Sequence, residues 1–221
     1  MRFNIKAVIF DMDGVITDTM PYHCKAWKTI FTKEGIKISR QDVYCREGQK
    51  GIDSVRELCA EHNHPFTVSR ARQLLKDKEE FFKSIFKRRF IAGARSFVRR
   101  SYRQGFKLAL VTGTSRHEAM RLLPADLFGL FHVTVCGCDV QNGKPHPESY
   151  LKALSQLGLK PKDVLVIENA PFGIRSAKAA GLRCLALETS LPRRFLKNAD
   201  AVFSSFNDLS GRVTLVRRSV I

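Results

Sequence analysis

Residues 5–19 read IKAVIFDMDGVITDT, and the rest of the chain is interpreted outward from them. Ile5, Ala7, Val8, Ile9 and Phe10 form an apolar run, interrupted by Lys6, that predicts one short buried strand. The run stops at Asp11; Asp13 and Gly14 follow. Side chains alternate along an extended backbone, so the two carboxylates point the same way while Met12 points back into the core. Carboxylates held that close repel, and bringing them to the end of a buried strand adds a desolvation cost. A divalent cation relieves both, and hard oxygen ligands suit Mg2+. Taken alone, Asp-x-Asp-Gly is also a good polar turn, so the choice rests on the remaining sequence.

The chain has 221 residues, 44% hydrophobic and 27% charged, enough for one large domain or a domain with an insertion. No run of about 18 apolar residues occurs, so no membrane span is expected. The N-terminus passes directly into the strand without the apolar segment and cleavage site of a secretory signal. The six cysteines have no zinc-finger spacing and are too sparse for a disulfide scaffold, which predicts a reducing, cytoplasmic setting. A net charge of +17 attracts anions. No zinc-finger, RRM-like or KH-like signature accompanies it, so phosphate esters are expected partners rather than nucleic acid.

After the Asp pair the periodicity changes from strand to helix. Residues 20–35 read as a helix with Pro21 early and Gly35 as its stop. Ser39 with Asp42 predicts a second start, residues 52–62 are helical in period, and Ser69 is positioned to cap a long helix ending near Phe86. An alternating pattern then resumes. Strands are expected at 106–111, 132–136, 164–167, 184–187 and 200–203, with helices at 94–102, 117–123, 147–157 and 174–180. Residues 211–221 fit either an extra edge strand or a tail. This order predicts an α/β fold, a Rossmann-like open parallel sheet core with an inserted α-helical cap. The expected division is 1–17 and 90–221 for the core and 18–89 for the cap. Sites in such sheets collect beyond the carboxyl ends of strands, where an insertion can close over a substrate.

Three further segments follow strands or enter helices. In Val111-Thr112-Gly113-Thr114-Ser115, the Thr112 hydroxyl and the amides beside Gly113 and Thr114 suit a phosphate, although Thr and Ser also cap helices. In Gly143-Lys144-Pro145-His146-Pro147, the prolines stiffen the chain after Lys144, whose charge could balance an aspartate and a phosphate. Val166-Ile167-Glu168-Asn169-Ala170-Pro171 ends another buried strand in an acid and an amide.

Together DMDGVITDT, VTGTS, GKPHPESY and VIENAPFG resemble, in order, the four motifs of the haloacid dehalogenase-like hydrolases. The likeness is to their branch of phosphatases and β-phosphoglucomutases with a helical cap, and it covers nearly the whole chain. The resemblance implies Asp11 as the nucleophile that forms an aspartyl-phosphate and Asp13 as the acid and base. It implies Thr112 and Lys144 as phosphoryl-holding groups, with Mg2+ on Asp11, the Asp13 backbone, Asn169 and, directly or through water, Glu168. At position 169 the family usually has a second acid, so the amide predicts weaker metal binding. TMPYHCKAW at residues 19–27 is similar to the first cap helix of β-phosphoglucomutases, which implies a role for His23 at the substrate or in closure. Arg46, Lys50 and Arg116 are candidates to hold a second phosphate. The implied activity is a Mg2+-dependent phosphatase on a small phosphorylated metabolite, a sugar phosphate foremost, working as a monomer or weak dimer. A β-phosphoglucomutase and a catalytically quiet binding module are the alternatives.

Overall fold

The protein is described here by a computed structural model covering residues 1–218. Its centre is β2 (Ala7–Phe10), with all four residues buried. Ala7 and Ile9 face one apolar layer, whereas Val8 and Phe10 face the other. A strand sealed on both faces has no reason to alternate polar and apolar residues, which is why this segment reads as continuous hydrophobicity. The expected single strand is in fact two. Lys6 divides it from β1 (Arg2–Ile5), because the chain before Lys6 leaves its sheet neighbours and pairs with another partner.

On one side of β2 lie β3 (Lys107–Val111) and β4 (Val133–Val135); on the other lie β5 (Val164–Glu168), β6 (Arg183–Leu187) and β7 (Ala201–Phe203). The order is β4-β3-β2-β5-β6-β7, and every pairing is parallel. The chain therefore builds outward from β2 in one direction and then returns to build in the other. This reversal leaves a crevice at the carboxyl ends of β3, β2 and β5. The described part of the C-terminal segment forms β8 (Thr214–Arg217), parallel to β1, so the edge-strand alternative holds there. Residues 219–221 lie outside the described residues.

The flanking helices are α5 (Ala94–Arg103), α6 (Arg116–Leu122), α7 (Ala125–Phe128), α8 (Glu148–Leu157), α9 (Pro171–Ala179) and α10 (Phe206–Arg212). The inserted region contributes α1 (Met20–Lys33), α2 (Arg40–Cys45), α3 (Gly51–Glu61) and α4 (Val68–Ile85). Pro21 sits in the first turn of α1, where its missing N–H is not needed. Ser39 and Asp42 close a reciprocal capping box on α2. The cap of α4 is Thr67, not Ser69 as expected: its extended backbone lets its hydroxyl accept from the Arg70 N–H. The chain enters and leaves this insertion side by side. The Asp18 N–H donates to Arg89 O at 3.0 Å and the Ile91 N–H to Ile16 O at 3.0 Å.

Candidate active site

Four buried carboxylates and one buried ammonium gather beyond the carboxyl ends of the central strands, and two of the carboxylates pair with it. The carboxylates belong to Asp11, just past β2; Asp13; Glu168, at the end of β5; and Glu47, from the turn after α2. The ammonium is that of Lys144, 2% exposed, in the loop between β4 and α8. Its Nζ donates to Asp11 Oδ1 at 2.6 Å and to Glu168 Oε1 at 2.7 Å. Glu168 is steadied by the Tyr150 hydroxyl at 2.8 Å and by the Asn169 N–H at 2.9 Å. Burial alone would discharge Lys144, but Asp11 and Glu168 outweigh it and hold its pKa above the ordinary lysine value. Burial pushes Asp11 up from the usual carboxylate range; Lys144 opposes the rise, and Glu168 and Asp13 reinforce it.

Asp13 has a different environment. Thr19 Oγ1 donates to its Oδ1 at 2.5 Å, and Thr114 and Thr112 donate to its Oδ2 at 3.0 and 3.3 Å. His23 Nε2 lies 3.5 Å from Oδ1. Burial acts to raise this pKa, yet His23 and the hydroxyls of Thr19 and Thr114 hold it at about 2. His23 stacks on Phe82 and meets Lys78 Nζ at 3.0 Å through its other ring nitrogen. Burial, then the Lys78 charge, lowers the His23 pKa, so the ring is neutral near pH 7 and its hydrogen bond outlasts its charge.

Glu47 is the residue that sequence reasoning missed. Its two carboxylate oxygens accept from Asn169 Nδ2 at 2.9 and 3.0 Å, and the same amide donates to Ser190 Oγ at 2.7 Å. Burial first, then Asp11, pushes the Glu47 pKa well above the ordinary range. The available signal was charge balance: an acid beside Gly48 in the insertion could replace the acid missing at 169. Gly14, at φ +81°, makes the approach feasible, because a Cβ there would lie 2.1 Å from Asn169 Nδ2 and 3.0 Å from Glu47 Oε1. Gly48, at φ +79°, does the same beside Lys144, whose Cδ would be 2.6 Å from an added Cβ. Gly48 O would lie 2.7 Å from a Cβ at Gly113, so the insertion rests directly on the Thr112–Thr114 loop.

The residues present fit a hard divalent cation. Asp11 Oδ2 and Asn169 Oδ1 are buried without a hydrogen-bond partner, and the surplus of buried carboxylates over Lys144 calls for positive charge. Among the described residues no group of three or more His, Cys, Asp and Glu is arranged to hold a metal ion, and of the two unpaired oxygens one belongs to an amide.

The three basic residues nominated for a second phosphate are not brought together. Arg46 Nη1 donates to Asp42 O at 3.0 Å, its Nη2 bonds Glu61, and its Nε lies 3.3 Å from Glu57. Lys50 Nζ donates to Val140 O and Gln141 O at 2.6 and 2.7 Å. Arg116 Nη2 donates to Thr134 O at 3.0 Å and Asp139 Oδ2 at 2.6 Å. Among the described residues no helix is long and apolar enough to cross a membrane.

The chain resembles known proteins in sequence and in fold. The chain is 33% identical to a phosphorylated carbohydrates phosphatase of Thermotoga maritima over 80% of its length and 82% of the relative. It is 28% identical to the β-phosphoglucomutase of Bacillus subtilis, covering 93% of this chain and 92% of that one. The crystal structure of a β-phosphoglucomutase from Clostridium difficile superposes with a TM-score of 0.80 at 26% identity, covering 93% of both chains. The family description "haloacid dehalogenase-like hydrolase" matches residues 5–181, from the strand before the Asp pair to the helix after Asn169. A match of that extent, with a parallel sheet whose carboxyl ends meet a helical insertion, makes this chain an enzyme of the haloacid dehalogenase-like hydrolase family, in its β-phosphoglucomutase and phosphoglycolate-phosphatase branch.

Proposed function

We propose that the protein is a Mg2+-dependent phosphatase of a small phosphorylated metabolite, a sugar phosphate foremost, acting through an aspartyl-phosphate on Asp11. The observation that carries this reading is the pairing of Asp11 with Lys144 beside an Asp13 that hydroxyls and an imidazole hold apart. An Asp11 oxygen attacks phosphorus while the bond from phosphorus to the leaving oxygen breaks. Asp13, protonated in the substrate complex, gives its proton to that oxygen. A phosphate dianion beside Asp13 would raise its pKa from about 2, which favours this step. Water then attacks the aspartyl-phosphate, Asp13 takes a proton from it, and inorganic phosphate leaves with Asp11 restored. Lys144 and the Thr112 hydroxyl hold the phosphoryl oxygens, with the amides near Gly113 and Thr114 beside them.

A metal would be held by Asp11 and Asn169, with Glu47 supporting the Asn169 amide from behind and Glu168 fixing Lys144 instead of serving as a direct ligand. Bound Mg2+ supplies positive charge where carboxylates and phosphate meet. Residues 18–89 act as a cap on a core of 1–17 and 90–221, hinged where the two connecting segments pair. Similarity to β-phosphoglucomutases makes phosphomutase activity the second reading. The engagement of Arg46, Lys50 and Arg116 elsewhere favours hydrolysis, since a mutase must also grip a second phosphate.

The test is phosphate release from a panel of phosphorylated sugars with MgCl2, together with mass spectrometry of the peptide carrying Asp11. Rearranged sugar phosphate in place of free phosphate would establish the mutase instead.

A further inference from the structure

A cavity of about 300 Å3 opens beside Asp13, between the insertion and the Thr112–Ser115 loop. On the phosphatase reading above, the leaving group occupies it. Its ionisable wall is mostly acidic: Asp42, Glu79 and Glu118 line it, besides the buried Glu47 and Asp13. Two cations also line it, and neither is free. Arg46 is paired with Glu57 and Glu61. Lys78 donates toward His23 and lies over the rings of Trp27 and Phe82, 5.3 and 5.4 Å from their centres. Glu79 is paired with Lys83.

Glu118 differs from these. It stands on the first turn of α6, three residues past Ser115, which caps that helix. Among the described residues it forms no ion pair within 4.0 Å. Burial, then Glu79, raises its pKa, while the charges of Lys78 and Lys83 oppose the rise, and its carboxyl group shares a hydrogen bond with that of Glu79. Such a group can accept from a hydroxyl or pair with an ammonium, and it repels a second phosphate.

We propose that Glu118, with Asp42 and Glu79 lining the same cavity, makes the site select an uncharged or amine-bearing polyol as the leaving group and reject one that carries a second phosphate. Glu118 is then a specificity-determining residue. The Trp27 ring supplies an apolar wall for the carbon face of such a polyol.

Phosphate release from glucose 6-phosphate, glucosamine 6-phosphate and glucose 1,6-bisphosphate, with MgCl2 present, tests this on one shared ring. Para-nitrophenyl phosphate reports turnover that does not depend on a polyol. The expected result is a kcat/KM for the two monophosphates at least about tenfold above that for the bisphosphate, from like-charge repulsion. Glu118→Gln should narrow that ratio several-fold, and Glu118→Lys should narrow it further. A purely structural role would change all three substrates together and leave the ratio fixed. A bisphosphate used as well as the monophosphates, or a ratio unmoved by both variants, overturns the inference alone. Turnover of para-nitrophenyl phosphate without any of the three sugars overturns the polyol. No turnover of any compound overturns the proposed function, and the inference with it.

Discussion

Glu47 reaches from the insertion to Asn169 on the core, with both of its carboxylate oxygens within 3.0 Å of the Asn169 amide nitrogen. The amide oxygen on the other side of that group is left buried and unpaired. The negative charge absent from position 169 is therefore supplied across the boundary between insertion and core. On the proposed metal site, contact between the insertion and the core at Glu47 and Asn169 supports cation binding.

Removing that carboxylate should raise the Mg2+ concentration needed for activity. For Glu47→Ala we expect a shift of roughly 10- to 100-fold, the range seen when a metal's supporting groups are lost. Adding Asn169→Asp to that variant should recover part of it. Titration of activity with MgCl2, paired with calorimetric Mg2+ binding, checks both; an unchanged midpoint in Glu47→Ala would remove Glu47 from the site.

Asp11→Asn should keep the fold and lose turnover. The amide preserves shape and still accepts from Lys144, but it cannot attack phosphorus. Lys144→Met is expected to be the more damaging change to the metal-free protein. It leaves Asp11 and Glu168 buried without their counter-ion, at a cost of about 3–5 kcal/mol. Circular dichroism and urea unfolding separate the two outcomes, and phosphopeptide analysis should find label on Asp11 in the wild type only.

Asp13 predicts an acid-side loss of stability. Its folded pKa of about 2 lies below the ordinary 3.8, so ionised Asp13 favours the folded state. That contribution, on the order of 2 kcal/mol, is fully present above pH about 4 and disappears as pH falls through about 2. Asp13→Asn lacks it at every pH. The unfolding free energies of wild type and variant should therefore converge between pH 5 and pH 2.5; a constant gap would contradict the depressed pKa.

Lys50 joins the start of α3 to the loop before Lys144 through two carbonyls, Val140 and Gln141. Lys50→Met should loosen that contact by about 1–3 kcal/mol, the usual worth of hydrogen bonds to a charged group. Hydrogen exchange in residues 46–51 and 137–144 should quicken, and KM should rise more than kcat falls. Unaltered exchange would mean that this contact does not hold the insertion down.

Much of the fold was legible because local chemistry and the global arrangement agree. The doubly buried β2 shows as uninterrupted hydrophobicity, and the Ser39–Asp42 capping box shows as a start signal whose two ends lie three positions apart. Asp11 and Asn169 were legible because each directly follows a strand, and Lys144 because it begins the proline-stiffened entry to a helix. The break at Lys6 and the cap expected at Ser69 depart from the sequence reading for a common reason. A strand's end is decided by which neighbour its backbone meets, and a cap by which of two nearby hydroxyls has the extended backbone.

What the amino-acid order alone determined is the set of groups available: acids after β2 and β5, a stiffened lysine, a hydroxyl loop and an amide where an acid is customary. Only the folded chain decided how those groups are paired. Arg46, Lys50 and Arg116 carry the same charge in the sequence as Lys144, yet Glu57 and Glu61, two carbonyls and Asp139 engage them, while Lys144 alone reaches Asp11. Glu47 is separated from Asn169 by 122 positions and meets it only because the insertion folds back over the sheet. Electrostatic partnership depends on distance and burial in three dimensions, and sequence spacing encodes neither across a domain boundary.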